Sequence, residues 1–214
     1  MSAVVAAFDV DGTLTVRDCV RPFLERIGGR RSLVTAVARR PVETVRGALR
    51  RDRDVLKGVV VGGVYRGRSV ATVAAAGREF AHAVAERMLR DDTLGRLRWH
   101  QRMGHRTVFV SASLASYLVP LAESLGVERA LCTDVETDHE RDHAVYAGRL
   151  AGPNCRAQEK LVRLRRWMDD EGIGGAEIWA YGDSRGDREL LAGADHPVWV
   201  RGVRLTAAPA ETVR

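Results

Sequence analysis

Lysine is nearly absent: Lys57 and Lys160 stand against 32 arginines in a chain of 214 residues. Such a skew is a habit of composition more than of chemistry, so the Arg-Arg pairs at 30–31, 39–40, 50–51 and 165–166 are weak grounds for nucleic-acid binding. Aromatic residues are also scarce, at 6%, and do not interleave with the arginines as base-stacking platforms would, so nucleic acid is not an expected partner. The three cysteines, Cys19, Cys132 and Cys155, are an odd number at no metal-like spacing. They argue against a disulfide framework and point to free thiols in a reducing, cytoplasmic compartment. No apolar run approaches the length of a membrane span, and the N-terminal run stops at Asp9 without a basic leader. Neither a signal peptide nor integral membrane association is therefore expected. Internal repeats are missing too, which excludes a solenoid.

What is present can build a core. With 45% hydrophobic residues, the length suits one ordinary domain or a domain carrying an insertion. The net charge of +6 is unevenly placed: residues 17–57 hold 12 basic and 5 acidic side chains, a local +7. That stretch reads as a solvated basic face, or as one that attracts an anionic substrate or an acidic membrane surface.

Periodicity divides the chain. A buried strand is expected over 3–8. Residues about 18–66 read as successive helices punctuated by Gly28-Gly29, Pro41 and Gly62-Gly63, and Ser69 is a plausible N-cap for a helix reaching about Leu89. Beyond Asp92 helix and strand alternate: a helix at 93–103, a strand at 107–112, a helix at 115–125, a strand at 130–135, and a polar hairpin-like excursion at 137–150. A helix at 156–171, a strand running into a turn at 176–184 and a strand at 196–200 follow. Short apolar strands between helices indicate an α/β fold with a doubly wound parallel sheet. The helical block interrupts that alternation. The expected organisation is a discontinuous core of 1–16 and 92–214 with an inserted α-helical cap at 17–91.

Ligands of such sheets gather at the carboxyl ends of the strands, where the polar clusters of this chain fall. Asp9 and Asp11 follow the first strand in "FDVDGT", Ser111 follows "TVFV", and Asp183 and Asp187 follow "IWAY" in "GDSRGD". Lys160 joins them from near the start of a helix, and a lysine kept in so arginine-rich a chain suggests that a compact ammonium is wanted. Each piece has a plainer reading: an Asx-Gly turn, a small residue at a strand end, a surface lysine, helix-capping acids. Together they supply acidic metal ligands, a nucleophile, a hydroxyl and one cation, as metal-assisted phosphoryl transfer requires.

The four motifs, "DVDGT", "VFVSAS", the lysine of "NCRAQEKLVRL" and "YGDSRGD", resemble those of the haloacid dehalogenase superfamily, and the layout resembles its phosphoserine-phosphatase-like branch, with a helical cap after the first motif. The resemblance implies a Mg²⁺-dependent phosphomonoester hydrolase with Asp9 as nucleophile, Asp11 as general acid and base, and Lys160 neutralising charge beside them. It places Mg²⁺ with Asp9, Asp183, the backbone carbonyl of Asp11 and, in support of the ion's water shell or of Lys160, Asp187. Phosphate would meet Gly12, Thr13, Ser111, the Ala112 amide and Lys160. Asp18 and Arg21 become candidates for substrate specificity, although Asp18 equally suits the cap of a helix. Phosphoserine phosphatases usually carry Ser where Gly12 stands, Ser-Gly-Gly at 111–113, and Asn where Gly186 stands, so the small phosphorylated partner (phosphoserine-like, amino-alcohol or polyol phosphate, or a lysolipid phosphate) is left open. A phosphotransferase or mutase would use the same aspartyl-phosphate. A remote rival is "HERDH" at 139–143, which satisfies the zinc-protease pattern His-Glu-x-x-His in surroundings too polar for a shielded helix.

Overall fold

In the computed structural model the described residues are 3–50, 52–138, 144–200, 202, 204 and 205. The "HERDH" segment lies outside them. β1 (Val4–Phe8), β2 (Arg106–Leu114), β3 (Arg129–Thr133), β6 (Glu177–Gly182) and β7 (His196–Trp199) form one sheet in the order β3-β2-β1-β6-β7, with every pairing parallel. β1 is apolar along its length and lies in the middle, buried on both faces, which is what a central parallel strand demands. Helices α5 (Asp91–Arg102), α6 (Ala115–Ser124), α7 (Gln158–Asp170) and α8 (Arg188–Ala192) accompany the sheet. β4 (Val135–Asp138) and β5 (Val145–Leu150) make a separate antiparallel hairpin where the polar excursion was expected. His100 is buried in this part of the fold, its Nε2 2.8 Å from the Tyr181 hydroxyl, and burial drives its pKa down to about 3, so it is a neutral core residue.

The helical block is α1 (Val20–Ala38), α2 (Pro41–Leu49), α3 (Arg53–Tyr65) and α4 (Val70–Arg87). The chain leaves the sheet beside the point of its return: Val16 N donates to Met88 O at 2.8 Å and Arg90 N to Leu14 O at 2.9 Å. Phe23, Val61 and Phe80 of the block share one apolar cluster with Phe8, Phe109 and Tyr117 of the sheet and α6.

Of the two glycine pairs expected as breaks, the first is one: Gly29, at φ 71° and ψ 163°, leaves helical geometry and divides α1 into two helical segments. Gly62 and Gly63 lie inside α3, where a Cβ would stand 2.4 Å from the Gly148 carbonyl oxygen or 2.4 Å from the Ala36 Cβ respectively. They are glycines because β5 and α1 approach closely, and the break falls instead after Tyr65, before Ser69 caps α4, while Asp52 caps the start of α3. As expected over 176–184, the strand runs into a turn: β6 ends at Gly182 and a short 3₁₀ segment, Arg185–Asp187, follows.

α4 meets α6 through a similar contact. A Cβ on Gly77 would lie 1.8 Å from the Ser116 carbonyl oxygen. Gly77→Ala is therefore expected to force the two helices apart and destabilise the protein by about 2–3 kcal/mol, despite the better helix propensity of alanine. A thermal melt that moved upward would sink this account.

Candidate active site

Register fixes the site. Phe8 pairs with Phe109 on one side and with Tyr181 on the other, so Asp9 emerges between the end of β2 and Gly182, its amide donating to Tyr181 O at 2.9 Å. Lys160 arrives from the first turn of α7, which follows Ala157, a non-glycine residue at φ 53° whose amide donates to Gly186 O. Strain of that kind persists where the surroundings hold it, and here it aims a helix at the strand ends.

Lys160 Nζ donates to Asp9 Oδ1 and to Asp187 Oδ1, both at 2.5 Å, with all three side chains almost fully buried. Burial opposes the ammonium charge, but the two carboxylates outweigh it and hold Lys160 above its usual range. Burial pushes the Asp9 carboxyl up while Lys160 pulls it down. The other Asp187 oxygen accepts from Ser184 N at 2.9 Å and Ser184 Oγ at 2.8 Å, so the capping and charge-pairing readings of "GDSRGD" hold together.

Asp183 completes an acidic cluster: one carboxylate oxygen from each of Asp9, Asp183 and Asp187 lies within 4.8 Å of the others. Three carboxylates and one ammonium leave an excess of two negative charges, and hard oxygen donors in that balance suit a divalent cation. Thr13 Oγ1 donates to Asp183 Oδ1 at 3.3 Å. Gly12, at φ 85°, lets the Asp183 carboxylate approach, since a Cβ there would fall 2.6 Å from its Oδ2.

The Asp11 carboxylate does not join this cluster. It turns the other way and accepts from Ser113 Oγ at 2.6 Å and Cys19 N at 2.8 Å, which leaves only the Asp11 carbonyl for any metal role. Burial, with repulsion from Asp18, raises its pKa to about 6 against these hydrogen bonds. Ser111 is buried, and its Oγ accepts from Ser113 N at 3.2 Å, so its own proton remains for a ligand.

Asp9, Asp11, Ser111, Ala112, Lys160 and Asp187 line a cavity of about 810 Å³. Asp18 and Arg21 also reach it. However, Asp18 Oδ2 accepts from Arg21 N at 3.2 Å as a helix-capping group, and Arg21 Nε is held by Glu25 Oε1 at 3.0 Å. Among the described residues all three cysteines are free and buried.

Sequence reasoning missed Lys57. Its ammonium reaches across from α3 to the Ala112 carbonyl and to Asn154 Oδ1 at 2.6 Å, while Asn154 Nδ2 donates to Asp54 at 2.6 Å. The block is thereby tied to the ends of β2 and β3, and burial draws the Lys57 pKa down to about 8. Ser113 and Asn154 were also missed. The scarcity of lysine that singled out Lys160 was available for Lys57 as well.

Residues 6–192 match the haloacid dehalogenase-like hydrolases. The chain belongs to that family. Protein CicA of Caulobacter vibrioides is 36% identical over 196 residues, covering 90% of this chain and 83% of its own. A protein of unknown function from Bordetella pertussis superposes with a TM-score of 0.70 at 26% identity, over 90% of this chain and 87% of the other. A phosphoserine phosphatase solved as a phospho-aspartyl intermediate analogue shares the fold, with a TM-score of 0.61 at 17% identity over 91% and 84% of the two chains. As a haloacid dehalogenase-like hydrolase, the protein carries its acidic cluster at the strand ends of the parallel sheet. No helix among the described residues is long and apolar enough to cross a membrane.

Proposed function

We propose that this hydrolase is a Mg²⁺-dependent phosphomonoesterase that works through an aspartyl-phosphate on Asp9. The observation that carries the reading is the buried Lys160 ammonium held between Asp9 and Asp187 beside Asp183. Asp9, Asp183 and the Asp11 carbonyl would hold the cation with Asp187 behind them, and the bound ion would supply charge neutralisation at the phosphoryl oxygens.

The residues divide the work. A carboxylate oxygen of Asp9 attacks phosphorus as the bond to the leaving oxygen breaks, and protonated Asp11 delivers its proton to that oxygen. Asp11, now ionised, takes a proton from water, whose oxygen attacks phosphorus and releases Asp9 and inorganic phosphate. Ser111 Oγ and the Ala112 amide donate to the phosphoryl oxygens, Lys160 keeps Asp9 ionised and oriented, and Gly12 and Thr13 shape the turn around Asp183. The helices of 17–91 act as a cap on the catalytic core of 1–16 and 92–214, with Lys57 as one of its fastenings.

Phosphate release from a panel of phosphomonoesters tests this. Turnover is expected with Mg²⁺, and chelation by EDTA should abolish it, with Mg²⁺ restoring it. Activity that persists through chelation and dialysis would overturn the metal assignment.

Asp11 makes a separate prediction. As the acid of the first step it must be protonated, so kcat/KM should fall as pH rises above about 6. Asp11→Asn should lower turnover of alkyl phosphates roughly 10²–10⁴-fold and flatten that limb of the profile. The loss should be smaller with p-nitrophenyl phosphate, whose leaving group needs no proton. Equal losses on both substrates would remove Asp11 from this role.

A further inference from the structure

The cavity above Asp9 is far larger than a phosphoryl group, and its two walls differ in kind. The strand ends contribute charge. The facing wall, from α1 and α3, contributes Val20, Leu24, Leu33, Val37, Leu56 and Val60. A substrate rich in hydroxyl or amino groups would need polar atoms there to replace its water, since an unpaired buried polar group is costly. Apart from Arg53, exposed at the start of α3, the charged side chains on that wall are already engaged within the protein. Arg21 is held by Glu25, Asp54 accepts from Asn154, and Lys57 donates to Ala112 and Asn154.

From this we infer that the substrate is an amphiphile: a phosphate carried on an aliphatic chain that lies against α1 and α3. The inference rests on the phosphomonoesterase reading above and adds its substrate class. A cavity of about 810 Å³ falls in the range that buries most of a drug-sized ligand, which leaves room for several methylenes beyond the phosphate.

A second feature agrees. Val34 and Val37 line the cavity yet are 70% and 37% exposed, so the apolar wall runs out to the surface. Next in the chain, Val42, Val45 and Leu49 stand exposed at helical spacing on α2, with Arg46 and Arg50 beside them. Apolar side chains fringed by arginine, in a stretch of net charge +7, suit the surface of an anionic bilayer, one source from which such a chain could be drawn.

The test is a series of n-alkyl phosphates from ethyl to octyl, kept below their micellar concentrations with Mg²⁺ present, alongside glycerol phosphate and phosphoserine. The value of kcat/KM is expected to rise about threefold to fourfold per added methylene, the ratio that ~0.8 kcal/mol per buried methylene converts to, until the chain outgrows the wall. Val37→Asp should reduce that gain to below about 1.5-fold per methylene, well under the ordinary methylene increment. A flat or falling series, or phosphoserine as the best substrate, overturns the inference.

Binding of the matching alkylphosphonates, followed by calorimetry, separates the two readings. Affinity that climbs with chain length without any turnover of the phosphates keeps the amphiphile site and sinks the hydrolase. Turnover without chain-length dependence sinks the amphiphile alone, and neither effect sinks both. With the inference upheld, the source is read from dodecyl phosphate in phosphatidylglycerol vesicles against phosphatidylcholine vesicles. Faster release from the anionic vesicles assigns a membrane source, and equal rates assign a free solute.

Discussion

Replacing Asp9 with Asn is expected to lower phosphomonoester turnover by on the order of 10⁵-fold or more, the scale seen when a covalent nucleophile is lost, while leaving the metal-free protein more stable than before. The two effects have one cause. Asp9 is 5% exposed and shares Lys160 with a second buried carboxylate, Asp187, so one ammonium faces two charges. Burial raises the folded-state pKa of Asp9 above its unfolded value. A carboxyl with that shift binds more protons in the folded state than in the unfolded state, so its contribution to stability falls as pH rises through and above the ordinary carboxylate range. Asn mimics the neutral carboxyl and removes that cost. The melting temperature of the variant should therefore exceed that of the native chain at neutral pH without Mg²⁺, and the gap should close in mild acid. Mg²⁺ should close the gap from the other side by stabilising the native chain more. Thermal melts at two pH values, with and without Mg²⁺, check the stability claim, and single-turnover phosphate release checks the catalytic one. An Asp9→Asn protein less stable than the native chain under all four conditions would mean that the carboxylate is structural.

Much of this site was legible in the sequence because parallel-sheet geometry is restrictive. A wholly apolar strand must be central, and whatever follows it must stand at the carboxyl edge, so "AAFDVD" placed Asp9 without further information. Ser111 and Asp183 were found in the same way, and Lys160 by its rarity. The direction of the Asp11 side chain was not legible. One residue past Val10 the chain enters a turn, and only the folded arrangement shows its carboxylate bound to Ser113 and to the start of α1. Gly62 and Gly63 misled for a related reason: glycine marks a break when local conformation decides, but marks a close contact when a neighbour does. The fastening at Lys57 joins residues 55 and 97 positions apart, a pairing that no local pattern encodes.

Lys160→Met should cost stability as well as activity. The ammonium is 2% exposed and donates to two carboxylates that are 5% and 1% exposed. Removing one member of a buried charge cluster strands the others, a loss of roughly 3–5 kcal/mol. Arg is not a conservative substitute, because a planar guanidinium needs room that a fully enclosed ammonium site does not offer. The pH dependence follows from which groups shift. Burial works against the Lys160 charge but its two partners raise the folded-state pKa above the unfolded value. The contribution is therefore fully present below the ordinary lysine range and disappears only as pH rises through the higher folded value. Across neutral pH the cost of Lys160→Met should stay constant on the lysine side, and it should shrink in acid as Asp9, whose carboxyl burial raises, takes up a proton. Mg²⁺ should recover part of the lost stability by restoring a positive charge between the carboxylates, but not the turnover, because Asp9 would have lost the donor that orients it. Denaturant unfolding at neutral and mildly acidic pH, with and without Mg²⁺, reads each of these effects. A loss below about 1 kcal/mol at neutral pH would belong to an exposed pair and would contradict the buried bridge on which the proposed catalytic assignment rests.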